Sequence, residues 1–159
     1  MIGHLSIPET EKLLRKEVVG RIGCAEGSSV YVVPISYTYD GTYIYCHTYE
    51  GLKVDIMRRQ PHVCFEVDRM HDMANWQSVI VNGTFEELNE PLQRSHALKL
   101  LHERILPMPS SETTHLSSDW PFLPEEFSQI KGVTFRIKVE TKSGRYEKSG
   151  TSAVTFFSI

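Results

Sequence analysis

No stretch of this sequence approaches the roughly 20 apolar residues that a membrane helix needs, and Met1–Ser6 has no signal-peptide character. The expected address is therefore the cytoplasm, with no membrane partner. Basic residues are in deficit: 17 Lys and Arg against 20 Asp and Glu give a net charge of −3. That balance argues against a general nucleic-acid surface. Cysteine is scarce, and Cys24, Cys46 and Cys64 are odd in number, widely spaced and set in apolar runs. They form no CxxC pair and read as buried thiols of a reducing compartment. The histidines do not pair as ligands. His96 and His102 miss the i, i+4 spacing of a helical metal pair, and His4, His62 and His115 are scattered, so no metal site is expected. Walker loops, GxGxxG turns and internal repeats are all missing. What is present is ordinary: 159 residues, 40% hydrophobic and 23% charged, which predicts one domain over 1–159.

Local signals divide the chain. Ser6-Ile7-Pro8-Glu9 is a capping box with proline in the first turn, predicting a helix over Pro8–Lys16 with Leu13 and Leu14 inward. Strands follow at Val18–Ala25, Ser29–Tyr39 and Thr42–Thr48, the last two joined by an Asp40-Gly41 hairpin turn. Pro34 is a misfit in its strand, since proline cannot donate to a ladder, and requires an edge or a bulge there. A short helix over Gly51–Gln60 is predicted next, stopped by Pro61. His62–Asp68 alternates as a strand, Arg69–Asn75 reads as a loop, and Trp76–Leu88 as a long strand kinked near Asn82-Gly83. Pro91 opens a helix to about Ile105. Leu106–Gln129 turns to Pro, Ser and Thr, a length of loop that is often functional. Val133–Val139 is the final strand, and 145–159 reads as a weakly structured tail. About six strands and two or three short helices, in hairpin succession, indicate a mainly β fold. Its best form is a small antiparallel barrel, because closure removes exposed strand edges.

The stretch with chemical promise is His47-Thr48-Tyr49-Glu50-Gly51-Leu52-Lys53. A strand passes through glycine into a helix start, where free N–H groups and the helix dipole favour an anion. Lys53 adds a charge and Thr48 a hydroxyl, so a phosphate would satisfy the set. The same residues also read as an ordinary helix start with a solvated lysine and a turning glycine.

A series of motifs surrounds that stretch in order: Val33-Pro34-Ile35-Ser36-Tyr37, Asp40-Gly41, Ile44-Tyr45-Cys46-His47-Thr48, Gly51-Leu52-Lys53, Pro61 to Asp68, and Ser78 to Gly83. Together they resemble the FMN-binding split-barrel proteins related to pyridoxamine phosphate oxidase, and within them the nitroimidazole-resistance (Nim-type) branch. The resemblance covers about Ile7 to Gly144. It implies an antiparallel split β-barrel and a homodimer with FMN at the subunit interface. Val33, Pro34, Ile35 and Ser36 are then expected along the flavin ring. His47, Thr48 and Gly51 line the ribityl and phosphate region, and Lys53 pairs with the phosphate. Gln77 and Ser78 stand where members make further polar contacts. Trp120 matches an aromatic that covers the partner's flavin, although a core anchor is an equal reading. His71 falls where the Nim-type branch carries a histidine near the flavin, a candidate proton donor; an exposed loop histidine is the plain alternative. Oxidases of vitamin B6 bind phosphate and substrate largely through arginines, and those basic positions are sparse here.

The implied function is an FMN-dependent oxidoreductase of small planar or nitroaromatic compounds, with electrons from a reduced nicotinamide or another donor. The flavin carries the chemistry and the protein orients it. The rival reading is a non-catalytic split barrel that holds flavin or haem for storage or sensing.

Overall fold

The computed structural model describes residues 1–104 and 129–150. The opening box forms as the sequence predicts: the Ser6 hydroxyl accepts from the Glu9 amide at 3.4 Å, and the Ser6 amide donates to the Glu9 carboxylate at 2.8 Å. Helix α1 (Ile7–Lys16) follows and buries Leu13 and Leu14. Among the described residues seven strands make one antiparallel sheet: β1 (Ile2–His4), β2 (Val19–Glu26), β3 (Ser29–Tyr39), β4 (Tyr43–Thr48), β5 (His62–Asp72), β6 (Asn75–Glu87) and β7 (Val133–Glu147). Six of them close into a ring in the order β2, β3, β4, β7, β6, β5 and back to β2. The chain is thus mainly β, an antiparallel barrel of the split type, with β1 as a short addition along the end of β7.

Alternation along each strand fills the barrel with Ile22, Tyr37, Phe65, Phe135 and Ile137, all 1% exposed or less. Helix α2 (Leu52–Arg59) links β4 to β5 and buries Val54 and Met57 in the same core. At the other end α1 docks, where the Tyr37 hydroxyl donates to the Leu14 carbonyl at 2.7 Å. Helix α3 (Pro91–Glu103) lies outside β4, over a second cluster of Tyr45, Leu88, Ala97, Leu98 and Leu101.

Two expectations change. Arg69–Asn75 is not a loop: β5 runs to Asp72 and pairs across a tight hairpin with β6, with a bulge between Met70 and Asp72 that holds His71. Its polar composition reflects an exposed hairpin tip rather than missing structure. The tail begins later than 145, because β7 continues to Glu147, paired with β6 on one side and β1 on the other. Short β1 carried no readable pattern, so its contribution was hidden. The kink near Asn82-Gly83 does occur, at a register shift where a Cβ on Gly83 would sit 2.4 Å from the Lys138 carbonyl oxygen.

Candidate functional site

Strand β3 carries the misfit proline, and its pairing explains the misfit. It pairs β2 from Ser29 to Ser36, but pairs β4 only at Tyr37–Tyr39. The Tyr37 amide donates to the Val18 carbonyl, on the β2 side. Amides alternate along a strand, so the amide position of Pro34, three residues away, faces the other side, where β4 has already left the ladder. Proline costs no hydrogen bond there, and the Ser36 amide and carbonyl face the same opening. The barrel is split at this point. Val33 and Ile35 turn inward, while Pro34 and Ser36 lie on the outer face.

Beside the opening stand two basic side chains. Arg104, at the end of α3, donates from Nη2 to the Ser36 hydroxyl at 2.9 Å. Burial pushes its guanidinium down to about 10, still well above neutral pH. His47 leaves β4 with Nε2 2.7 Å from the Lys131 carbonyl oxygen. Burial holds its imidazole below the ordinary value, with Arg94 and Arg104 adding to the effect and the Lys131 contact opposing it. Arg104 was not foreseen from sequence. An arginine at the end of a helix normally reads as dipole complement or solvated charge, and only the packing of α3 on β4 carries it to Ser36.

Thr48 pairs Val133 at the end of β4, next to the start of α2. No side chain caps that helix start, and a Cβ on Gly51 would meet nothing within 4 Å, so the first-turn amides open outward with Lys53 among them. An anion fits this geometry. At the last turn Arg58 is held by Glu50 and Glu87 at 2.7–2.9 Å, as a solvated helix end.

The remaining predicted residues lie elsewhere. Gln77 pairs Tyr146, thirteen residues along β7 from the Val133 that pairs Thr48. At about 3.3 Å per residue, that is roughly 43 Å of strand path. Gln77, His71, Trp76 and Arg69 line a cavity of about 340 Å³ at the β5–β6 hairpin. The Trp76 indole donates to Glu147 at 3.0 Å. The Ser78 hydroxyl donates to Glu66 at 3.0 Å; burial raises that carboxyl above its ordinary value, with Ser78 opposing. The chain therefore brings together Pro34, Ser36 and His47 at the split and Thr48, Gly51 and Lys53 at the helix start. It keeps His71, Gln77 and Ser78 apart from Lys53. Trp120 lies outside the described residues.

Between these groups the outer face of β2, β3, β5 and β6 sets exposed valines beside the ion pairs of Arg21 with Glu66 and Asp68. Val30 and Val32 are 73% and 61% exposed, and they border a hollow of about 550 Å³ with Gly23, Cys64 and Asn82. Cys24 and Cys46 are buried thiols, while Cys64 is half-exposed on this face. No group of three or more metal-ligating side chains occurs among the described residues. No described helix is long and apolar enough to cross a membrane.

A six-stranded barrel split at one strand edge, with an uncapped helix start nearby, defines the class. The family model for pyridoxamine 5'-phosphate oxidase matches residues 6–146, and the chain belongs to that family. An uncharacterized protein of Rhizobium meliloti is 30% identical over 104 residues, 63% of this chain and 69% of the relative. The crystal structure of a FAD-binding protein from Mesorhizobium loti is 34% identical, with a TM-score of 0.71 over 93% of this chain and 99% of that one. A Bacteroides thetaiotaomicron structure, provisionally assigned to 5-nitroimidazole antibiotic resistance, shares the fold at 16% identity, with a TM-score of 0.68 over 92% and 87% of the two chains.

Proposed function

We propose that this chain is a flavin-binding protein that holds FMN between two copies of itself and passes electrons to small planar or nitroaromatic acceptors. The observation that carries the proposal is the split in β3. Backbone polar groups at Pro34–Ser36 face an opening rather than a partner strand, which suits the polar edge of a flat heterocycle. Lys53 and the uncapped α2 amides suit its phosphate. The 34% identity to a FAD-binding protein supports a flavin of some kind.

The homodimer follows from the separation of the two residue groups. A two-fold axis through this outer face would set one subunit's His71, Gln77 and Ser78 against the other's split edge and helix start. The exposed valines would be buried by the same contact. When bound, the flavin supplies the redox chemistry, taking electrons from a reduced nicotinamide or another donor. The protein's own residues hold the ring, exclude water and, at His71, offer a proton to the reduced substrate. Family membership sets the fold and leaves the substrate open. The cytoplasm remains the expected compartment.

An absorption spectrum and mass analysis of the ligand carried by the purified protein test the proposal. A flavin spectrum bleached by reduced nicotinamide, with the mass of FMN, is the expected result. The mass of FAD would correct the cofactor, and a Soret band without flavin would overturn the reading.

A further inference from the structure

Charge near the split is unevenly distributed. Arg104 is a half-exposed residue by area, yet its guanidinium is deep enough for burial to lower its pKa. It borders a cavity of about 450 Å³ with Lys16, Tyr37 and Thr38, and its Nη2 holds the Ser36 hydroxyl at 2.9 Å. Ser36 is the last residue of β3 before the β4 ladder begins, and its backbone faces the opening. Drawing a permanent charge out of water is costly. A cation in that position exerts a stronger field than it would at the surface.

From this geometry we infer that Arg104 is a positioning residue that acts through Ser36, setting the electrostatic environment of the ring's polar edge and favouring the reduced form of the bound flavin. The inference rests on the flavin reading above. Reduction adds two electrons and fewer than two protons at neutral pH, so the reduced ring carries more negative charge than the oxidised one. A guanidinium fixed beside Pro34–Ser36 binds the more negative form better, and that preference raises the midpoint potential by simple linkage. Ser36 serves as the relay: its hydroxyl accepts from Arg104, which leaves its own hydrogen free to donate into the opening. His47, held largely neutral by burial and by the same arginines, adds little competing charge at neutral pH. Arginine suits the task, since it stays charged at all working pH values.

The test is reductive titration of the flavin-loaded dimer with dithionite against a reference dye, which reads the midpoint potential without any turnover. Arg104→Gln is expected to weaken reduced-flavin binding relative to oxidised by at least tenfold, which lowers the potential by about 30 mV for a two-electron couple. Arg104→Lys, which keeps the charge, is expected to restore more than half of that shift. Ser36→Ala, a small change at a half-buried strand position, is expected to shift the potential in the same direction by a smaller amount. A Gln variant with full flavin content and the wild-type potential overturns the inference, as does a Lys variant no better than Gln, or an unchanged potential in Ser36→Ala. A wild-type protein that carries no flavin would overturn the functional reading and this inference together. Flavin-loaded variants with unshifted potentials would overturn the inference alone.

Discussion

The hydroxyl of Tyr37 donates to the backbone carbonyl of Leu14 at 2.7 Å, tying strand β3 to the last turn of α1 inside the barrel. Tyr37 is 1% exposed, and burial pushes its phenol far above the ordinary tyrosine value, so it acts only as a neutral donor. Tyr37→Phe leaves that carbonyl without its partner in a dry setting. The expected loss is about 1–3 kcal/mol of unfolding free energy. Denaturant melts at constant m-value would measure it, and an unchanged midpoint would mean the bond contributes nothing net.

Asp40 organises the β3–β4 hairpin. Its carboxylate accepts from the amides of Thr42 and Tyr43 and from the Tyr45 hydroxyl, each at 2.8–2.9 Å. Burial works to raise its pKa, but those donors outweigh burial and hold it below the ordinary aspartate value. The unfolded chain therefore takes up the proton first as pH falls. The stabilisation is complete above about pH 4 and is lost as pH drops through the folded value. Asp40→Asn is expected to be less stable than wild type at pH 7, with the gap closing toward pH 2. Parallel acid limbs in the two proteins would contradict this.

His47 gives a second pH dependence with its own window. Its folded pKa is depressed, so between that value and about 6.5 the unfolded chain binds more protons than the folded one. Stability is expected to fall as pH drops below about 6.5. His47→Gln should remove that slope while leaving the slope near pH 4 in place. Thermal melts across the acid range, from below the aspartate window to above the histidine one, separate the two.

Lys53 stands among the open amides of α2, and the proposed phosphate would meet it there. Lys53→Ala is expected to weaken flavin binding by tenfold or more, about 1.4 kcal/mol. Fluorescence titration of the apoprotein with FMN reads the loss. Equal affinity in the two proteins would remove the phosphate from this helix start.

Val32 lies on the outer face of β3, 61% exposed. Val32→Asp places a charge in the proposed interface while leaving the barrel interior untouched. Sedimentation is expected to show a shift from dimer to monomer, with flavin content falling in step. A monomeric wild-type protein that keeps its flavin would sink the shared-site proposal.

Much of this structure is legible in the sequence. The Ser6–Glu9 box, the Asp40-Gly41 turn, the alternation in β2 to β6 and the Gly83 kink are local features. Neighbouring residues write each of them, through capping geometry, turn conformation or a missing side chain. The ordered motifs around Thr48–Lys53 likewise pointed to the family. Polar composition was misleading at Arg69–Asn75, where an exposed hairpin tip carries the residues of a loop. Beyond Gly144, β7 gains its order from β1 and β6, whose pairing no local pattern announces.

Pro34 shows where the boundary lies. Its ring chemistry alone required an edge or a bulge, because an imide nitrogen has no hydrogen to donate. Which of the two, and that the open side faces Arg104 and His47 rather than bulk solvent, depended on where β4 leaves the ladder and where α3 packs. The same holds for the separation of Gln77 from Lys53, set by the closure of β6 on β7 and not by their spacing in the chain. Local chemistry in the sequence determined the elements and the anion-friendly helix start. Only long-range strand pairing decided which of the expected residues come together on the surface, because register is a property of the whole ring.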